Sequence, residues 1–343
     1  MRAPFKKVLA SALAVGFMTS SLPAFAQKLK IQTSSNASHF SLAYLNENWV
    51  PELKKRTQGR WEIELLPIKA VVPHKDTPKA VATGILDGDW TSTSYFSGLD
   101  PAFALIGDLI AGYDTPQQIQ DYCRNGGGRE LLQKLFDKYQ PGVTVVACGT
   151  YNREAFVSKV PIRTVADMKG KKIRSPEGLA AEVFKRAGAA PVSLPGSEVY
   201  TALEKGVIDA ADNSSYSNND ANGLHKVAKY PIYPGIHSMP VLQLTVSTSV
   251  WKKMSAEDRK TFEQWYQDAY AGLTAAGDKK DKELVARDKA GKDVTVIDWA
   301  QAERDKFRQI ATGAWEAFGK ATPLGKEAYE SHMAYMKKKG LLK

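Results

Sequence analysis

The residues of this chain that could do chemistry sit at the ends of its apolar segments. Arg174 follows Lys171-Lys172-Ile173 and precedes Ser175-Pro176, which places a guanidinium where a strand gives way to a loop. Open α/β sheets bind their ligands at such strand ends. A guanidinium suits a carboxylate because its planar fork donates two parallel hydrogen bonds. Asn213 closes the run Ile208-Asp209-Ala210-Ala211 and can donate and accept within one contact. Tyr151 and Arg153 stand just past the strand-like Val143 to Cys148. Each also has a structural alternative, as solvated surface for an arginine and as a turn former for an asparagine.

Catalytic signatures are missing. The chain has no G-x-S-x-G, P-loop, H-E-x-x-H or C-x-x-C, and His39, His74, His225, His237 and His332 are not paired at metal-ligand spacing. No nucleophile stands beside a base with an orienting partner, so an enzyme is not expected, and neither is a metal or a cofactor. Gly126-Gly127-Gly128 lies inside a helical stretch and reads as a helix break, not a phosphate cradle. Two sequons, at Asn36 and Asn213, are discounted because the leader described below is bacterial in style. For Cys123 and Cys148 an exported chain makes a disulfide possible, but the preferred reading is two buried thiols on a helix and a strand end.

The elements that must position these residues alternate between strand and helix. Lys28 to Thr33, Arg60 to Leu66, Asp89 to Thr93 and Val143 to Cys148 read as strands, with helices at His39 to Thr57, Thr77 to Thr83 and Pro116 to Lys138. This βαβ rhythm predicts a parallel sheet. The pattern restarts with strands at Lys171 to Arg174, Pro191 to Leu194 and Val207 to Ala211, so two α/β lobes are expected. Leu242 to Thr248 is a further strand. Ser255 to about Lys289 reads as one helix, about 50 Å long and able to cross both lobes, or as two helices broken near Gly272 to Gly277.

Composition agrees. The 343 residues are 43% apolar and 24% charged, which is globular and excludes a disordered or collagen-like chain. Arg2, Lys6 and Lys7, the apolar Val8 to Leu22 and Ala24-Phe25-Ala26 are ordered as in a secretory signal peptide, with cleavage expected after Ala26 and a periplasmic destination. The net charge of +10 is scattered among acids, so nucleic acid is not an expected partner, although small anions would be favoured.

The stretches Val165-Ala166-Asp167-Met168-Lys169-Gly170-Lys171-Lys172-Ile173-Arg174 and Val199 to Asn213, with Arg174 and Asn213 39 positions apart, resemble the solute-binding subunits of tripartite ATP-independent periplasmic (TRAP) transporters, the DctP-like family. The similarity covers essentially the whole mature chain. It implies a bilobed periplasmic-binding-protein fold, two α/β lobes joined by a hinge with a long helix crossing both. The implied division is a first lobe of residues 27–149 plus about 240–278 and a second of about 150–239 plus 279–343. The implied function is capture of a small organic carboxylate by lobe closure and its delivery to integral membrane permease subunits. A binding protein of an ATP-driven transporter or receptor is the alternative, and an exported carboxylate-processing enzyme the remoter one.

Carried over residue by residue, the resemblance makes Arg174 the carboxylate clamp, Asn213 a ligand neighbour and Arg153 a second polar contact, with Thr93 and Ser94 contributing from the first lobe. Lys226 to His237 is similar to a subgroup that binds 2-oxo and 2-hydroxy acids, some with a cation. That subgroup has an acid and a Trp where this chain has Asn213 and Ser214, which argues against a metal. His39, Tyr95, Tyr151, Tyr216 and His237 are candidate walls, and so many rings with few extra cations favour a monocarboxylate, a 2-oxo or 2-hydroxy acid including aromatic-substituted ones.

Overall fold

The computed structural model describes residues 26–236 and 238–342. The expected signal peptide, Ala26 aside, and His237 lie outside the described residues. In chain order, β1 (Gln27–Thr33), β2 (Trp61–Leu66), β3 (Gly88–Ser92) and β4 (Val143–Gly149) belong to one sheet, β5 (Ala155–Ser158), β6 (Lys172–Ser175), β7 (Ala190–Ser193) and β8 (Ala210–Asn213) form a second, and β9 (Leu242–Ser247) returns to the first. The orders are β2-β1-β3-β9-β4 and β5-β8-β6-β7.

The local reasons are visible in the residues. Trp61, Ile63 and Leu65 face the core from β2 while the intervening side chains are half-exposed, the period of a one-sided strand. Thr77–Thr83 is closed by Gly84 in the left-handed region at φ 78°. The glycine triplet does break a helix, separating Pro116–Asn125 from Gly128–Tyr139.

Two strands depart from the expected parallel rhythm. β9 pairs antiparallel with both β3 and β4, Trp90 facing Leu244 and Cys148 facing Gln243. It arrives from the second lobe and not over a helical crossover, so it enters the sheet from the opposite end. β5, antiparallel to β8, has only four residues, too few for a periodic signal.

The long helix is unbroken over Ala256–Ala290. Ser255 caps it by accepting from the Asp258 amide. Its first half buries Phe262, Trp265, Tyr266, Ala269, Tyr270 and Leu273 against the first sheet. There the Trp90 indole donates to the Tyr270 hydroxyl at 2.6 Å, and the Tyr266 hydroxyl donates to the Leu242 carbonyl at 2.6 Å. Its second half packs Leu284 and Val285 with Ala155 and Tyr216 of the second lobe. Between them a Cβ at Gly277 would lie 3.2 Å from Asn152 Nδ2, so the missing side chain lets the helix pass close to the β4–β5 connection. The helix Pro323–Lys338, in the stretch expected with the second lobe, packs on Pro101–Gly107 and Gly128–Tyr139 of the first.

Cys123 and Cys148 form a disulfide with Cα atoms 5.5 Å apart, in place of the two thiols expected. The sequence puts one on a helix and one on a strand, and only the packing of Pro116–Asn125 over β4 brings them within bridging range.

Candidate functional site

A chamber of about 880 Å³, its mouth included, opens between the lobes. From the first lobe Ser34, His39, Trp90, Ser92, Ser94 and Tyr95 line it. From the second come Arg174, Gly196, Asn213, Ser214 and Asn218, and from the β4–β5 connection Tyr151 and Glu154. The lobes touch across the mouth through the ion pairs Lys75–Glu177 at 2.9 Å and Lys69–Glu198 at 3.3 Å, and the Ser41 amide donates to Asn218 Oδ1 at 3.2 Å.

Arg174 is the third residue of β6, 2% exposed. Its Nε donates to the Leu194 carbonyl at 2.9 Å and its Nη1 to the Asp212 carbonyl at 2.6 Å. Nη2 has no hydrogen-bond partner among the described residues. Two nitrogens thus fix the guanidinium to the loop after β7 and to β8, and the third leaves buried donors for something that enters the chamber. Asn213, at the end of β8, is oriented by donating to Asn219 Oδ1 at 2.8 Å, which leaves its own oxygen 3.5 Å from Arg174 Nη1.

Ser94 sits where β3 ends, and its hydroxyl is 3.0 Å from that of Ser92. A Cβ at Gly107 would fall 2.4 Å from the Ser94 amide, so the helix Pro101–Gly107 presses this turn against the chamber. Tyr95 meets His74 edge to face with centroids 4.5 Å apart.

Three expected residues are placed elsewhere than on the chamber wall. Thr93 points into the first sheet and donates to Gln243 Oε1 at 3.0 Å, because side chains alternate at the strand end and its neighbour Ser94 takes the chamber side. Tyr216 is fully buried beneath the site, its hydroxyl donating to Asp288 Oδ2 at 2.6 Å. Arg153 lies toward Tyr233: burial, with Asp281 and Asp278 adding, pushes that phenol up to about 12, and Arg153 opposes the shift. Arg174, Asn213, Ser94, Tyr95, Tyr151 and His39 are the ones brought together.

The sequence reading missed Glu154. It is one residue past Arg153 in the same connection, and its side chain enters the chamber. Its Oε1 accepts from the Tyr151 hydroxyl at 3.0 Å and from the Ser214 amide at 2.9 Å. Burial raises its pKa, while the Arg174 charge and these donors oppose the rise. Ser214 is held at φ 37°, a conformation sparsely used by residues with a side chain, and the bond to Glu154 helps fix it there. Two more acids lie nearby. Burial pushes Asp108 up to about 7, and it pushes Asp212 well above the carboxylate range, with Glu154 and Asp108 adding and Arg174 opposing. No short motif announces these acids, since they come from three separate segments.

Among the described residues one group of acids and histidine could converge on a cation, Asp220, His225 and Asp288, none of which lines the chamber. The Arg287 guanidinium already bonds Asp220 at 2.6 Å and Asp288 at 2.7 Å.

His39 carries a pH prediction. Burial pushes its imidazole down to about 4. The unfolded chain, with an ordinary imidazole, takes up the proton first, so the stability contribution is full above about pH 6.5 and is lost as pH falls toward 4. Between pH 7.5 and 4.5 the wild type should lose roughly 2–3 kcal/mol more than His39→Gln. Denaturant titrations of both at the two pH values check this; parallel losses would mean that His39 does not titrate as described.

No helix among the described residues is long and apolar enough to cross a membrane. The chain matches the family described as bacterial extracellular solute-binding protein, family 7, over residues 32–321. It is 27% identical over 292 residues, 85% of this chain and 79% of the other, to a monocarboxylate 2-oxoacid-binding periplasmic protein of Nostoc sp.. Among solved structures it is similar to a TRAP periplasmic solute binding protein from Rhodobacter sphaeroides in an apo open form, with 40% identity, TM-score 0.75, and coverage of 92% of this chain and 99% of the other. A TRAP transporter solute binding protein from Bordetella bronchiseptica, with copurified calcium and picolinate in one site, superposes with TM-score 0.82 at 22% identity, covering 91% and 92%.

Proposed function

From the premise that this chain belongs to the bacterial extracellular solute-binding protein family 7 of TRAP transporters, we propose that it captures a small organic carboxylate in the chamber between its lobes and delivers it to integral membrane permease subunits. The observation that carries this reading is Arg174 Nη2, a buried cationic donor without a partner among the described residues, on a guanidinium already fixed by two main-chain carbonyls. A carboxylate satisfies that donor, and the enclosing rings and serines favour a single carboxylate over a dicarboxylate. The favoured ligand is a 2-oxo or 2-hydroxy acid, aromatic-substituted ones such as benzoylformate or mandelate included. The name of the Nostoc relative supports the 2-oxo acid class. The protein carries no chemistry of its own, acts in the periplasm after cleavage behind Ala26, and uses no metal.

Lobe closure is the mechanism. Two connections, β4 to β5 and the one entering β9, join the lobes side by side, the Glu154 amide donating to the Ser238 carbonyl at 2.9 Å. Rotation about them would open the mouth, and a ligand touching both walls would favour the closed state. A thermal-shift screen of the mature protein against organic acids, followed by solution scattering with the best ligand, tests this. A stabilising acid should reduce the radius of gyration; stabilisation without contraction would rule out closure, and no stabilising acid would rule out the carboxylate reading.

A further inference from the structure

The chamber contains an acid as well as an arginine, and a site made only to hold an anion would not place a carboxylate beside its clamp. Glu154 is buried, lines the same chamber as Arg174, and is near enough that the guanidinium holds its pKa down against burial. Its Oε1 is occupied by two donors, the Tyr151 hydroxyl and the Ser214 amide. Its Oε2 has one contact among the described residues, the Ser238 hydroxyl at 3.3 Å. That hydroxyl is 2.6 Å from Asp108 Oδ2, and its single proton serves the closer oxygen first. Oε2 is thus an acceptor with spare capacity. Arg174 Nη2 is the converse, a donor without an acceptor among the described residues.

A single small molecule satisfies both when it carries a carboxylate for Arg174 and a hydrogen-bond donor for Glu154. A 2-hydroxy acid supplies O–H, and a 2-amino acid supplies N–H and a charge opposite to that of Glu154. To an ionised Glu154 a 2-oxo acid offers only another acceptor, so two oxygens face each other without a proton between them. A site built to bond a donor rejects analogues that lack it much more strongly than one that only fits their shape, because its buried acceptor is left unpaired.

Resting on the carboxylate reading above, we propose that Glu154 is a specificity-determining residue that restricts the chamber to carboxylates bearing a 2-hydroxyl or 2-ammonium group and disfavours their 2-oxo counterparts. This keeps the 2-hydroxy acids of the class favoured above, sets aside its 2-oxo acids and adds 2-amino acids. Tyr151 is a positioning residue in the same arrangement, since its hydroxyl holds Oε1.

Calorimetric titration with two matched series tests this. One is lactate, alanine, pyruvate, propionate and 2-amino-1-propanol; the other is mandelate, 2-phenylglycine, benzoylformate, phenylacetate and 2-phenylglycinol. In at least one series the hydroxy or amino acid should bind wild type at least tenfold more tightly than both the oxo and the unsubstituted acid. Glu154→Gln keeps the carbonyl that accepts from Ser214 but can donate from its other end, so it should lose that preference at least tenfold while binding the oxo acid as well or better. Glu154→Asp, which keeps the charge on a shorter arm, should retain part of the preference, and circular dichroism of both variants confirms their folding. The proposal is overturned, with the carboxylate reading intact, if the oxo or unsubstituted acid binds as tightly as the donor-bearing acid, or if both variants weaken every acid by the same factor. Amino alcohols that bind as tightly as the acids, and lose that binding in Glu154→Gln, would support Glu154 and overturn the carboxylate reading. Failure of every donor-bearing probe to bind would overturn the proposal outright.

Discussion

Arg174→Ala is expected to weaken binding of the best carboxylate by about 30-fold to several thousand-fold, which corresponds to the roughly 2–5 kcal/mol lost when a buried ion loses its partner. The side chain is 2% exposed and its Nη2 is a donor without a partner among the described residues, so little water is available to replace the guanidinium. The same change should also lower the stability of the ligand-free protein by about 1–3 kcal/mol, because the Leu194 and Asp212 carbonyls lose their donors. Glu154 and Asp212 lose the charge that opposes their raised pKa values as well. A sequence argument that places Arg174 in an open, wet cleft predicts no such destabilisation; the main-chain anchoring is what changes it. Lysine keeps the charge but cannot reach two carbonyls and a ligand together, so Arg174→Lys should recover only part of the binding. Calorimetric titration of the three proteins, with denaturant melts of each without ligand, is the measurement. Equal affinities across the three would mean that the carboxylate does not sit on Arg174.

Removing the Cys123–Cys148 bridge should cost about 3.5 kcal/mol, the loop-entropy value for a closed loop of roughly this size, since the cysteines are 25 positions apart. The loop encloses the helix Gly128–Tyr139, which packs on β4, so the loss falls on the first lobe. Neither cysteine lines the chamber, so ligand affinity should stay within about twofold. The expected pattern is a lower denaturation midpoint for wild type in reductant, an equally low midpoint for Cys123→Ala/Cys148→Ala in either condition, and no free thiol in the oxidised native protein. Two thiols that alkylate in the native protein without reductant would restore the reading of separate buried cysteines.

By itself the sequence determined the alternating α/β units, a helical stretch from Ser255 to about Lys289 whose continuity past Gly272 to Gly277 it left open, and Arg174 and Asn213 at strand ends. These are properties of local pattern: a period of two or 3.6 in apolar residues, a Ser-x-x-Asp cap at Ser255, and a resemblance carried by two contiguous blocks. What it could not determine depends on pairing between distant segments. β9 runs antiparallel because of where the chain re-enters the first sheet, and no residue between Leu242 and Ser247 encodes that direction. Thr93 and Ser94 are adjacent and similarly polar, yet only the register of β3 against β9 turns Thr93 to Gln243 and leaves Ser94 to the chamber. Arg153 and Glu154 exchange their expected importance for the same reason: a one-residue step in an extended connection reverses the side chain, and Glu154 is captured by the Ser214 amide and the Tyr151 hydroxyl. The bridge between Cys123 and Cys148, and the meeting of Glu154 with Arg174, rest on contacts between elements far apart in sequence. Composition and periodicity act over a few residues, whereas the site is assembled by tertiary packing, which alone decided which polar side chains are buried with partners and which face the chamber.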